Sequence, residues 1–131
     1  MFNILIITHG LLSEELKLSV EFILGKKIIR KIFTVSIDKD SRDFDTYSNR
    51  ISNFLIEGEN TLIFTDMFGG TPSNISLAYF KKGSVEIISG VNLPMLIKAA
   101  TIDGCESFEE AVKIIKSSGQ KNIIAAGELN I

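Results

Sequence analysis

The sequence predicts an α/β fold: one doubly wound, mostly parallel sheet with helices on both faces. Three observations lead there. Short apolar runs rich in Ile, Val and Phe alternate with amphipathic stretches. The first and third runs carry almost no polar alternation, the mark of strands covered on both faces. The two prolines, Pro72 and Pro94, both stand where helices begin, so neither argues against a strand.

Five strands are expected, near 2–8, 28–37, 61–66, 84–89 and 122–126, with 2-1-3-4-5 as the expected order. Ser13 can cap a first helix through about Leu24, with Glu14 and Glu15 in the turn where the helix dipole favours acids. Leu16, Val20, Ile23 and Leu24 share one of its faces, and Gly25 follows as a stop. Ser41 can cap a second helix with Phe44, Tyr47, Ile51, Phe54 and Leu55 inward and Gly58 at its end. Pro72 opens a third helix through about Phe80, and Pro94 a fourth through about Thr101. Ser107 and Glu110 have capping-box spacing ahead of Ala111, Val112, Ile114 and Ile115, and Gly119 closes that fifth helix. The last run, Lys121 to Ala126, follows a helix that leaves it at an edge. An exposed apolar edge strand asks for cover from another chain, so a homodimer with that strand exchanged is expected.

At 131 residues the chain suits one domain, 1–131, able to bury roughly two-thirds of its unfolded surface. A net charge of −2 without long like-charge runs argues against nucleic acid as the main partner. The densest basic cluster, Lys26, Lys27, Arg30 and Lys31, reads as a solvated loop and strand start. Cys105 is the only cysteine, so no intrachain disulfide or thiolate metal site is expected. No signal-type leader is expected, and no apolar run nears the ~20 residues that span a bilayer. A cytoplasmic protein with no membrane insertion is expected.

The first strand stops at Thr8-His9-Gly10, and His9 is the only histidine. The third stops at Asp66 and enters Met67-Phe68-Gly69-Gly70-Thr71-Pro72-Ser73-Asn74. Doubly wound sheets bind ligands beyond the strands' C-terminal ends, where the order reverses. If the first and third strands are neighbours, imidazole and carboxylate emerge together. Asp66 can then accept one ring N–H, fix the tautomer and aim the other nitrogen outward as a nucleophile. Gly10 would leave room beside the ring. Gly69 and Gly70 would turn backbone N–H groups toward a phosphoryl oxygen, with Thr71 at the helix cap and the Thr71 and Ser73 hydroxyls as further donors. No Lys or Arg lies in these loops, which fits one transferring phosphoryl group better than a nucleotide polyphosphate. Each feature also has an ordinary structural reading. A lone His is more often structural, an Asp at a strand end is often a turn residue, and Met95, Leu96 and Ile97 read first as core.

Three segments together resemble the enzyme IIA domain of the mannose-type sugar phosphotransferase system. They are Thr8-His9-Gly10, Asp66 through Asn74, and Gly90-Val91-Asn92-Leu93-Pro94-Met95-Leu96. The resemblance implies that His9 takes a phosphoryl group from the phosphohistidine of the carrier HPr, on its Nε2. It implies transfer onward to a histidine of the IIB component, which serves sugar uptake through the membrane IIC and IID components. Asp66 would hold the other ring nitrogen. Phe68, Asn92, Leu93, Pro94 and Met95 would face partners. A homodimer in which the last strand adds to the partner's sheet is implied, and no metal or diffusible cofactor. A related alternative is the phosphotransfer subunit of phosphoenolpyruvate-dependent dihydroxyacetone kinase. Others are a regulator that reports phosphorylation state and a flavodoxin-like small-molecule binder. The sugar is not legible, since recognition belongs to the membrane component.

Overall fold

The computed structural model of the chain describes residues 1–38 and 43–130. In chain order the elements are β1 (Phe2–His9), α1 (Leu12–Leu24), β2 (Ile32–Ile37), α2 (Phe44–Ser52), β3 (Asn60–Thr65), α3 (Thr71–Leu77), β4 (Val85–Ser89), α4 (Leu93–Thr101) and α5 (Phe108–Lys121). The sheet runs β2-β1-β3-β4, and every neighbouring pair is parallel. The α/β class and the 2-1-3-4 core of the expected order are therefore present.

Side chains alternate across the central strands. Ile4, Ile6, Leu62 and Phe64 face α1, α4 and α5, where Val20, Leu96, Ala99, Ala111 and Ile115 close one core. Leu5, Ile7 and Ile63 face α2 and α3, where Tyr47, Ile51 and Ile75 close the other. Burial on both sides explains why the strand sequences read as continuous apolar runs.

Several boundaries differ from the expectation, each for a local reason. Ser13 is not the cap of α1. It lies inside the helix, fully buried, and its N–H donates to Thr8 Oγ1 at 2.7 Å. Thr8, from the end of β1, thus satisfies an open amide that a cap would have taken. Ile23 and Phe44 are exposed, not inward. The expected cap at Ser41 lies outside the described residues. Asp43 caps α2, its Oδ1 accepting from Thr46 N–H at 3.1 Å. The Thr46 hydroxyl and amide hold the Asp43 carboxyl below its usual range. β2 begins at Ile32, because a 3₁₀ turn over Gly25–Lys27 takes up the chain first. Ser107 caps α5 as expected, Oγ accepting from Glu110 N–H at 3.0 Å.

Gly119 does not end α5, which continues to Lys121. It is a point of close approach. A Cβ there would collide with Met95 Cε and lie 3.1 Å from Met95 Cβ, while its carbonyl accepts from Asn92 Nδ2 at 3.0 Å.

Among the described residues the sheet has four strands, where five were expected. Residues 122–126 form no strand in this fold. A strand needs a ladder partner, and among the described residues this segment has none. Its last backbone bonds are turn bonds, Glu128 N–H to Ala125 O and Leu129 N–H to Ala126 O. Ile123 and Ile124 are left exposed. No helix among the described residues is long and apolar enough to cross a membrane.

Candidate functional site

The parallel pairing of β1 with β3 sets Ile7 beside Thr65. The next residues of both strands therefore leave the sheet at one edge. There His9 and Asp66 meet. Asp66 Oδ2 lies 2.8 Å from His9 Nδ1 and also accepts the His9 backbone N–H at 3.0 Å. Asp66 Oδ1 accepts from Met67 N–H at 3.1 Å. The carboxylate is thereby held by two backbone amides before it touches the ring. Its side chain is 14% exposed, whereas the imidazole is 49% exposed. A carboxylate at Nδ1 selects the tautomer with the proton there and leaves Nε2 as the free lone pair, on a ring open to solvent.

The glycines near the ring are required for different reasons. A Cβ on Gly10 would meet nothing within 4 Å, so crowding within this chain does not demand glycine there. Its φ of +58° is the reason for glycine, since the chain must turn sharply from β1 into α1. Gly69 likewise has φ +88° and open space around it. Gly70 supplies the room. Its φ is ordinary, but a Cβ there would lie 2.8 Å from His9 Cε1 and 3.3 Å from Nε2. Any side chain at 70 would displace the imidazole.

Gly70, not Thr71, is the N-cap of α3, and Asn74 N–H donates to its carbonyl at 2.9 Å. Thr71 is the first helical residue, with Pro72 behind it. Ser73 points away from His9 into the protein. It is fully buried, with Oγ 3.3 Å from Ser89 Oγ, because the third residue of this helix faces the sheet. Thr65 and Ser89, which sequence reasoning passed over, sit beneath the site. Thr65 Oγ1 donates to Ser89 Oγ at 2.7 Å. A polar residue at the last position of two adjacent strands was the only signal available.

The loop after β4 approaches through Thr65, whose carbonyl accepts from Gly90 and Val91 N–H, both at 3.0 Å. Asn92 is a structural clamp: Oδ1 caps α4 at Met95 N–H (3.1 Å) and Nδ2 binds Gly119. Met95 is buried in the core and does not face a partner. Leu93 and Pro94 are half-buried. Phe68 is 76% exposed on the rim, with Met67, Leu11 and Leu12 also exposed. Among the described residues no cluster of His, Cys, Asp and Glu could hold a metal.

Comparison with known proteins then gives the following. The family described as "PTS system fructose IIA component" matches residues 3–116. The chain is similar to the PTS system mannose-specific EIIAB component of Escherichia coli (strain K12), 30% identical over 125 residues, which are 93% of this chain and 38% of that protein. The chain thus spans 38% of that relative's length. It is 28% identical over 101 residues to the PTS system sorbose-specific EIIA component of Lacticaseibacillus casei, covering 75% of this chain and 71% of that one. In structure it resembles phosphotransferase system component EIIA from Streptococcus agalactiae. The TM-score is 0.87 at 23% identity, over 98% of this chain and 100% of the other, which is a likeness of fold.

Proposed function

Because the chain belongs to the PTS system fructose IIA component family, as an enzyme IIA component of the mannose type, we propose that it is a phosphoryl relay with His9 as the carrier. HPr is the donor, a IIB component the acceptor, and sugar uptake through IIC and IID components the outcome. The observation that supports this most is the His9 Nδ1–Asp66 Oδ2 contact of 2.8 Å on a half-exposed ring.

The chemistry follows from that contact. Neutral His9, protonated at Nδ1, attacks the phosphorus of the donor's phosphohistidine through Nε2. The new N–P bond forms as the donor's N–P bond breaks, and its imidazole leaves with the electron pair. The His9 ring becomes cationic while keeping its Nδ1 proton, and Asp66 stabilises that charge. The same step in reverse sense, with the IIB histidine attacking, discharges the protein. Gly70 against the ring and the first-turn amides of α3 form the cradle for phosphoryl oxygens, with Gly69 and Thr71 beside it. Exposed Phe68 and half-buried Leu93 and Pro94 offer apolar contact to donor and acceptor proteins. Residues 1–131 act in this reading as one cytoplasmic phosphotransfer domain without a cofactor. Labelled phosphoenolpyruvate with enzyme I and HPr should load the protein, and added IIB should unload it. A loaded protein that no IIB unloads would refute the relay.

The tail supports a homodimer in the same reading. Ile123, Ile124 and Leu129 are exposed, and residues 122–126 have no ladder partner among the described residues. Among the described residues β4 pairs along its length only with β3; its other edge holds a single antiparallel bridge, Val85 with Lys81, and is otherwise open. Exchange of the two tails onto these edges would bury both, giving each sheet a fifth strand, antiparallel and from the partner. Light scattering should report a dimer at micromolar concentration, and truncation after Gly119 should dissociate it. A full-length monomer excludes the dimer, and a truncated protein that stays dimeric excludes the tail's role.

A further inference from the structure

We propose that Ser89 is a positioning residue for the His9 reaction, acting as the shared acceptor of a buried hydroxyl network that joins the two halves of the site. This rests on the relay reading above. Thr65 and Ser73 are fully buried, and each carries a hydroxyl proton that needs an acceptor. Ser89 is half-buried and borders the open groove beside β4 that Phe68 and Lys116 also line. Its oxygen takes the Thr65 proton at 2.7 Å and stands 3.3 Å from Ser73 Oγ. A hydroxyl oxygen has two lone pairs. Accepting from both neighbours leaves the Ser89 proton free for water in the groove, and all three groups are then satisfied. No other arrangement of these three protons satisfies both buried donors.

The placement of the three residues gives the network its effect. Thr65 is bonded by chain to Asp66, the carboxylate on Nδ1. Ser73 lies in the first turn of α3, which Gly70 caps while packing on Cε1. Ser89 closes β4, a strand held in register by β3. The carboxylate that orients the ring and the glycine that bounds it are thus referred to one rigid point. Without Ser89 the α3 turn and the end of β3 lose their common anchor, and the ring gains freedom relative to the carboxylate.

The test uses Ser89→Ala and Ser89→Thr in the full chain. In Ser89→Ala the ¹⁵N signal of His9 Nδ1 in the neutral ring should move away from the protonated form, toward a mixture of tautomers. The maximal transfer rate from phospho-HPr should fall roughly tenfold, part of the ~10²-fold that a misplacement of one ångström can cost. The KM for phospho-HPr should stay, because the exposed rim is untouched. Ser89→Thr keeps the hydroxyl and should restore both readouts. An unchanged Nδ1 signal in folded Ser89→Ala overturns the proposal, as does failure of Ser89→Thr to restore it. If Ser89→Ala does not fold, Ser73→Ala removes a donor and strands no acceptor. It must then reproduce the Nδ1 change, and an unchanged signal again overturns the proposal. The tautomer readout needs no donor protein. A wild-type chain that takes no phosphoryl group therefore counts against the relay, and an unmoved Nδ1 signal against the network.

Discussion

His9→Ala is expected to abolish the acid-labile, base-stable phosphoryl adduct completely while leaving the fold intact. His9 is the only histidine, so no other residue can carry a phosphoramidate of that kind on an imidazole. The ring is 49% exposed and lies outside both cores, so its removal costs little packing. Asp66 is not stranded by the change, since the backbone N–H groups of residue 9 and Met67 still reach its two oxygens. Loss of the adduct would then be chemical and not a result of unfolding. The check is incubation with phosphoenolpyruvate, enzyme I and HPr, followed by acid and base treatment and circular dichroism of the variant. An adduct retained in His9→Ala would remove the assignment.

Asp66→Asn has the second-largest expected effect, a fall in transfer rate of about 10²–10⁴-fold with the fold retained. The amide cannot meet all three demands on the carboxylate. With its oxygen in the Oδ2 place it still accepts from His9 N–H and Nδ1, but its NH₂ then faces the Met67 N–H, donor against donor. With the amide reversed, NH₂ faces the His9 backbone N–H and donates to Nδ1. That orientation favours the tautomer with the proton on Nε2, where the lone pair is needed. In both orientations the negative charge that stabilises the cationic ring is gone. Rapid-quench measurement of transfer from phospho-HPr reads the loss. Wild-type rates in a folded Asp66→Asn protein would contradict the role.

The parts of this site that were legible in the sequence are those set by strand ends. Buried runs stop abruptly at Thr8 and Thr65, and parallel neighbours must release the following residues at one edge, so His9 and Asp66 could be paired before any coordinates. What sequence left open depends on direction, not position. Ser73 sits in the right turn, but helix phase sends it under the sheet to Ser89. Gly10 and Gly70 both flank the ring in sequence terms. Only backbone geometry separates the one that needs positive φ from the one that needs space. Ser13 looks like a cap because it precedes two glutamates, yet Thr8 reaches its amide from the strand. Met95 and Gly119 are distant in sequence, and their contact is a product of how α4 and α5 pack. The tail carries the composition of a strand, but a strand exists only where a partner edge lies, and residues 122–126 find none among the described residues.

The central claim is that Asp66 occupies Nδ1 and leaves Nε2 to make the bond. The most direct measurement is ³¹P and ¹⁵N NMR of the phosphorylated full chain, read through the coupling between phosphorus and ring nitrogen. The geometry predicts coupling to Nε2 of His9 with Nδ1 still protonated. Phosphorus on Nδ1, or on any residue other than His9, would contradict it.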